Sequence, residues 1–341
     1  MKKESNNVPV MLGLDVGTSR IVVARRNGED TETGSQLNAF VNVPYAPMTE
    51  KALKREEIPF ERRGSELLVH GNEAPRFADL LNVEARRPMT LGVLNSGERE
   101  GLAVVRKIVS TLVGDLPKSD ARPRVYYSVP AVPLSGGLVT EEGLTYHDAT
   151  VKNLLEDMGF ETRSITEGLA VVYSELEDTN YTGIGVSCGG GLCNVSLAYL
   201  SMPAISFSIP KAGDFIDSST AAVTGDLATR VRMAKEDAFH FNGNFSDKLL
   251  QAINVYYDDM INALIAGMKE AFSNSRRMPK LTRPVPIVLS GGTATPKGFR
   301  ERFERAISAT EFPLAISEIR MATDPMTATA RGALISALAE N

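Results

Sequence analysis

Asp15-Val16-Gly17-Thr18-Ser19 is the stretch whose residue types and spacing point to chemistry. It joins the apolar run Leu12–Leu14 to a second apolar run, Ile21–Ala24, around a glycine-containing turn, a hairpin pattern. Gly17 allows a close backbone approach that a Cβ would forbid, so the N–H groups of Thr18 and Ser19 can converge on an anion. Asp15 stands just before that turn, where its carboxylate could hold a hydrated Mg²⁺ against the same phosphates. The same five residues also suit an ordinary hairpin with a solvated aspartate, and only their company in the chain separates the two readings.

The elements that position such a turn belong to a chain of 341 residues, enough for two domains or one large bilobal unit. Hydrophobic residues make up 43% and charged residues 23%, a globular profile. A net charge of −5 leaves no basic footprint and argues against a nucleic-acid partner. The two cysteines, Cys188 and Cys193, have neither zinc nor redox spacing and read as small buried hydrophobes in a reduced compartment. The polar start Met1–Asn7 has no apolar stretch behind it, and no window approaches the ~18 apolar residues of a membrane span. A cytoplasmic protein is expected, with no membrane contact indicated.

Along the chain, residues 37–70 mix Pro44, Pro47 and Pro59 with many charges and read as a loop-rich peripheral subdomain. Glu66–His70 reads as a strand. Leu102, Val105, Ile108, Val109 and Leu112 place a helix near 97–113. Val125–Pro130 and Thr162–Ile165 read as strands, and 146–158 and Glu167–Leu176 as helices, an α/β alternation. The second half repeats the opening: a strand at Tyr181–Val186, the run Gly189-Gly190-Gly191, then a strand at Leu192–Leu200. Further strands are expected at Ala204–Pro210 and Pro286–Ser290. Helices are expected at 227–240, at Asp258–Phe272 with its stripe of Met260, Ile261, Leu264, Ile265, Met268 and Phe272, and at Thr327–Ala339. A helix starting after Gly292-Thr293 would offer N–H groups beside glycine to a nucleotide.

Two glycine hairpins in two halves, with a late strand–Gly291-Gly292 junction, resemble the actin/DnaK/sugar-kinase superfamily, and within it the bacterial actins of the MreB and MamK type. The resemblance runs collinearly over residues 10–340. It passes through Gly71-Asn72-Glu73-Ala74, Arg87-Pro88-Met89, Gly92-Val93, Asp324-Pro325 and Arg331-Gly332-Ala333-Leu334. It implies an α/β, actin-like bilobal fold, two ribonuclease-H-like domains around a nucleotide cleft. The first would span 8–184 plus 322–341, with a small subdomain at about 37–90, and the second 185–321.

The resemblance also implies roles. Gly17, Thr18 and Ser19 form the first phosphate loop, with Asp15 at the metal, and Gly189, Gly190 and Gly191 form the second. Gly213 follows it in Lys211-Ala212-Gly213-Asp214. Glu167 orients the attacking water, Lys235 and Glu236 meet adenine and ribose, and Gly291, Gly292 and Thr293 form the adenosine motif. By type, Lys235 is a mobile cation and Glu236 a hydroxyl acceptor, though each equally suits a solvated helix face.

One departure bears on chemistry. The family opens its second loop with Asp, and this chain has Ser187-Cys188-Gly189-Gly190-Gly191-Leu192. The glycine cradle survives while one carboxylate is missing, and Asp214 is the nearby acid that could replace it. Asn194 also stands where many relatives carry an acid. The resemblance therefore implies ATP/ADP and Mg²⁺ as cofactors, self-association into filaments and slow hydrolysis. A small-metabolite kinase and a nucleotide-binding scaffold that does not polymerise are the alternatives.

Overall fold

The structure, a computed structural model, describes residues 9–116, 121–134, 139–241, 243, 245–275 and 278–340. The stretch Met1–Asn7 lies outside the described residues.

The first sheet opens with a meander: β1 (Met11–Val16), β2 (Arg20–Asn27) and β3 (Asp30–Leu37). A small sheet follows, made of β4 (Phe40–Pro44), β5 (Phe60–Arg63) and β6 (Glu66–His70), with α1 (Pro47–Arg55) and α2 (Ala74–Leu80). The pair β7 (Met89–Thr90) and β8 (Val93–Leu94) leads to α3 (Gly101–Val113), β9 (Arg124–Val129), α4 (Glu141–Asp157), β10 (Glu161–Thr166) and α5 (Glu167–Glu175).

The second half repeats the meander with β11 (Gly183–Cys188), β12 (Cys193–Tyr199) and β13 (Met202–Ile209). Then come α6 (Gly213–Thr224), α7 (Ala228–Ala238), α8 (Lys248–Asn274), β14 (Val285–Ser290), α9 (Phe299–Ser308), β15 (Ile316–Met321) and α10 (Ala328–Ala339).

The two five-stranded sheets share one topology, β10-β9-β1-β2-β3 and β13-β12-β11-β14-β15. In each, an antiparallel meander is extended by two parallel strands. The glycine turns after β1 and β11 are therefore equivalent positions, at the carboxyl ends of the strands that pair in parallel. Open α/β sheets place ligands there. This is the actin-like bilobal fold that the resemblance implies.

Residues 37–70 are not the loop-rich segment their charges suggest. Val41, Val43, Leu67 and Val69 alternate inward and, with Leu53 and Ala78, build a small core of their own, leaving the charges on the outer face. The abundance of charge masks a period of two. The strand β3 carries no apolar signal because Asp30–Gln36 has no large apolar side chain, and this exposed edge is held by its ladder to β2. The helices α6 and α9 and the strand β15 are likewise not evident from the sequence pattern. α4 starts earlier than its apolar stripe because Thr140 caps it by accepting from the Gly143 N–H, and α8 starts ten residues early behind Asp247. No α-helix begins at Gly292-Thr293. A single 3₁₀ turn sits there, Pro296 follows, and α9 starts only after Gly298.

Cys188 and Cys193 are free and buried in the core under the second sheet, as their type suggests. Among the described residues, no helix is long and apolar enough to cross a membrane.

The two sheets are joined by α5 and α10, which lie in a shared layer of small residues, among them Ala170, Ala330 and Ala333. They touch at backbone distance. A Cβ on Gly332 would lie 1.7 Å from the Ala170 carbonyl oxygen, and one on Gly13 of β1 would lie 2.0 Å from the Ala330 carbonyl oxygen. Gly332→Ala must push the helices apart, so it is expected to lower stability by about 3 kcal/mol or more, at the upper end of overpacking costs. Thermal or denaturant unfolding checks this. A melting point indistinguishable from wild type would contradict the crossing.

Candidate nucleotide site

The turn after β1 is fastened from three sides. Gly17 N–H donates to the Arg20 carbonyl at 2.9 Å, Asn38 N–H donates to the Ser19 carbonyl at 2.9 Å, and the Asn38 amide donates to the Gly17 carbonyl at 3.0 Å. Ser128, at the matching end of β9, donates its hydroxyl to Asp15 Oδ1 at 2.6 Å and accepts from the Val16 N–H at 3.2 Å. Asp15 thus points from a strand end whose backbone is held on every side.

The second turn is closed by the Gly189 N–H on the Leu192 carbonyl at 3.0 Å. The N–H groups of Gly213 and Asp214 donate back to Gly189 and Gly190 at 3.1 and 2.7 Å, and Thr293 Oγ1 donates to the same Gly189 carbonyl at 2.7 Å. The Gly189 carbonyl therefore gathers the second hairpin, the start of α6 and the Gly291–Thr293 junction. The two hairpin turns meet through residues 91–92. Thr18 Oγ1 accepts from the Gly92 N–H at 2.9 Å, and a Cβ on Gly191 would lie 2.5 Å from the Gly92 nitrogen. Arg87 completes the join, donating to the Thr18 carbonyl at 2.8 Å and pairing with Asp214 at 2.6 Å.

Between the turns lies a cavity of about 650 Å³, within the range of small-molecule and cofactor sites. Asp15, Gly17, Thr18, Ser19, Glu167, Gly189, Gly190, Gly191, Gly213, Lys235, Glu236, Gly291, Gly292 and Thr293 all line it. The fold brings these phosphate-loop, acid and adenosine-motif residues to this one space, while Asn194 and Gly71–Ala74 lie outside its lining. The lining also includes the aromatic and apolar side chains Phe239, Tyr257, Pro296 and Met326, with His240 and Lys297.

Asp15 and Glu167 are half-buried in the cavity wall. Burial raises the Asp15 carboxyl to about 6 against the pull of the Ser128 hydrogen bond. Burial, then repulsion from Asp15, raises Glu167 to about 8, although Ser187 Oγ donates to Glu167 Oε2 at 3.0 Å. Two desolvated carboxylates facing one cavity suit a hard cation. Among the described residues, no three His, Cys, Asp or Glu side chains group closely enough to hold a metal by themselves.

The structure corrects two expectations about charge. Lys235 is not a mobile cation. It is buried against Asp217 at 2.6 Å and the Gly213 carbonyl at 3.1 Å, because α6 runs beside α7 and presents Asp217 to it. Asp214 is not a free substitute acid, since Arg87 holds it and keeps its carboxyl below the usual range against the cost of burial. Glu236 is half exposed but bound, with Arg232 at 3.0 Å and Arg20 at 4.0 Å.

Ser128, Arg20, Arg87, Arg232, Asp217 and Asn38 are the residues of the site that sequence reasoning misses. The spacing of Arg232 to Glu236, one helical turn, is a local signal that could have found that pair. Nothing local could link Ser128 to Asp15, 113 positions away.

Known proteins share this fold. A family model described as Volactin matches residues 10–337. No curated protein matches the chain. The MamK double helical filament superposes with a TM-score of 0.71 at 18% identity, covering 98% of this chain and 99% of that one. MreB5 of Spiroplasma citri bound to ADP gives 0.65 at 13% identity, covering 98% of both chains. The ethanolamine utilization protein EutJ from Carboxydothermus hydrogenoformans gives 0.55 at 17%, covering 97% of this chain and 92% of that one.

The buried acids predict a pH dependence. Glu167 is raised in the folded chain, so the stability it contributes is full below its unfolded value near 4.5 and is lost as pH rises through about 8. In chelator and without nucleotide, Glu167→Gln should remove that loss, leaving the variant on the order of 2–4 kcal/mol more stable near pH 8 and little changed near pH 4. Denaturant titrations across pH check the sign.

Proposed function

We propose that this chain, which belongs to the Volactin family, binds ATP and ADP with Mg²⁺ and polymerises into cytoplasmic filaments, hydrolysing ATP slowly. The observation that carries this reading is the convergence of both glycine turns, the Asp15–Glu167 pair and the Gly291–Thr293 junction on one cavity. Its glycine turns suit a polyphosphate, and its aromatic and apolar lining suits a base. The ADP bound to MreB5 and the double helical filament formed by MamK support the same reading. A chain whose one surface docks on a different surface of the next copy grows an open filament.

Within this reading the backbone of residues 17–19 and 189–191 cradles the phosphates. Asp15 and Glu167 would hold Mg²⁺ with its waters, and the ion would supply charge neutralisation at the phosphates. Glu167 orients the attacking water. Ser187 stands where the resemblance expects Asp, and its hydroxyl proton goes to Glu167 rather than to water. The site thereby lacks one negative group that would draw a proton from that water. Lys235 with Asp217, and Arg232 with Glu236, form the wall nearest the sugar and base.

Turnover is therefore expected to be slow. Losing a positioned acid–base group costs about 10²- to 10⁴-fold in rate. Calorimetry should show adenine-nucleotide binding that weakens in chelator. Phosphate release measured on the same sample as pelleting and electron microscopy should show ATP-dependent filaments that persist for minutes. Ser187→Asp should raise hydrolysis, and Glu167→Ala should abolish it. No binding at millimolar nucleotide would overturn the reading of the cavity. A monomer in every nucleotide state would overturn the assembly, and brisk release unaffected by Glu167→Ala would overturn the assignment of the chemistry.

A further inference from the structure

The segment after α2 reaches across to α7 and grips its first turn. Glu84 Oε1 accepts from the Ala228 N–H at 2.8 Å, and Glu84 Oε2 accepts from the Thr229 N–H at 3.0 Å and from Thr229 Oγ1. Ala85 N–H donates to the same Thr229 hydroxyl at 3.1 Å. Arg230 adds a second arm, donating to Asp79 at 2.6 Å and to the Asn82 side chain at 3.1 Å. The partners lie more than 140 positions apart in sequence, in the small subdomain on one side and the second half on the other.

The chemistry of this grip is that of a helix cap supplied from outside the helix. The first N–H groups of α7 have no partner within it, and α7 is introduced by Leu227, whose side chain cannot cap. A carboxylate there satisfies two of them and complements the positive end of the helix. Farther along the same helix, Arg232, Lys235 and Glu236 face the cavity, and Arg232 also donates to Ser19 Oγ of the first turn. The cavity wall and the clasped end belong to one rigid rod. Moving α7 away from the first half would widen the cavity, and both Glu84 and Arg230 oppose that movement. Glu84 is nevertheless solvent exposed, so water can replace its bonds without burying a charge.

We propose that Glu84 is a positioning residue of the cavity: by capping α7 across the cleft it holds the wall in place and sets how fast a bound nucleotide leaves. This rests on the nucleotide reading of the cavity, and goes beyond it by assigning control of release to a contact outside it. Glu84→Ala should speed release of a fluorescent ATP analogue by about 3- to 30-fold, the ratio matching the ordinary cost of a lost helix cap. Glu84→Gln, which keeps one acceptor, should fall between, and Arg230→Ala should speed release less than Glu84→Ala.

The experiment is a stopped-flow chase of the fluorescent analogue from full-length wild type, the three variants and Arg302→Ala. The last breaks the pair between Asp258 of α8 and Arg302 of α9, two residues that do not line the cavity. Melting curves accompany each variant. A salt series adds a readout that general loosening would not move, because release from wild type should quicken with salt and release from Glu84→Ala should depend on salt less. Faster release in the Glu84 and Arg230 variants, with Arg302→Ala like wild type, is the expected result. Unchanged release in Glu84→Ala and Arg230→Ala, with the analogue bound as in wild type, overturns the clasp and leaves the nucleotide reading standing. Equal acceleration by Arg302→Ala also overturns it. Wild type that binds no analogue overturns the reading and the clasp together. Should Glu84→Ala fail to fold, Glu84→Gln and Arg230→Ala decide the matter.

Discussion

The crossing of α5 and α10 is the contact on which the rest of the molecule depends. These helices pass at backbone distance where Gly332 faces the Ala170 carbonyl, and α10 meets β1 just as closely where Ala330 faces Gly13. Asp15 stands two residues beyond Gly13, and Glu167 three residues before Ala170. The two acids of the cavity are therefore mounted on the two partners of one helix, α10. With no side-chain volume between them, the three elements have almost no freedom to shift. The spacing of the two backbone mounts is fixed by helix packing, and hydrogen bonds from Ser128 and Ser187 hold the carboxylates on them.

That rigidity makes the electrostatics possible. Two half-buried carboxylates facing one cavity would move apart if the backbone allowed it. Held in place, both are raised, Asp15 to about 6 by burial and Glu167 to about 8 by burial and the nearby Asp15. The opposite wall follows another rule. Arg20, Arg87, Arg232 and Lys235 are paired with Glu236, Asp214 and Asp217, with Arg20 and Arg232 sharing Glu236, so three of these four positive charges are offset. Buried pairs of this kind stabilise little in net terms, since desolvation offsets their attraction, but they fix the position of whatever carries them. What they carry is the wall made by α6 and α7.

Hydrogen bonding across the cleft is correspondingly dense where the halves meet at the turns. The segment from Arg87 to Gly92 contributes three bonds to them, through Arg87 to Thr18 and Asp214 and through the Gly92 N–H to Thr18. An insertion between β-hairpins of two different sheets acts as the spacer that keeps both turns facing one cavity.

The sequence by itself determined the repeated plan. The glycine turns sit after apolar strands in both halves, and the periodicity of Leu102–Leu112 and Met260–Phe272 marks real helices, because hydrophobic period and turn chemistry are local properties. The resemblance of its ordered short motifs to a known family also pointed to the residues that line the cavity. It did not determine the strands at Asp30–Leu37 and Phe40–Pro44 or the helix at Pro47–Arg55, whose polar faces hide their inward alternation. Nor did it determine the states of the charges. Only the tertiary structure decided that Lys235 is locked to Asp217, that Asp214 belongs to Arg87, that Ser187 donates to Glu167 and that Glu84 caps a helix 144 positions away. Partner choice among charges depends on distances across the cleft, and these are set by how two sheets pack on one pair of helices, which no local stretch of sequence contains.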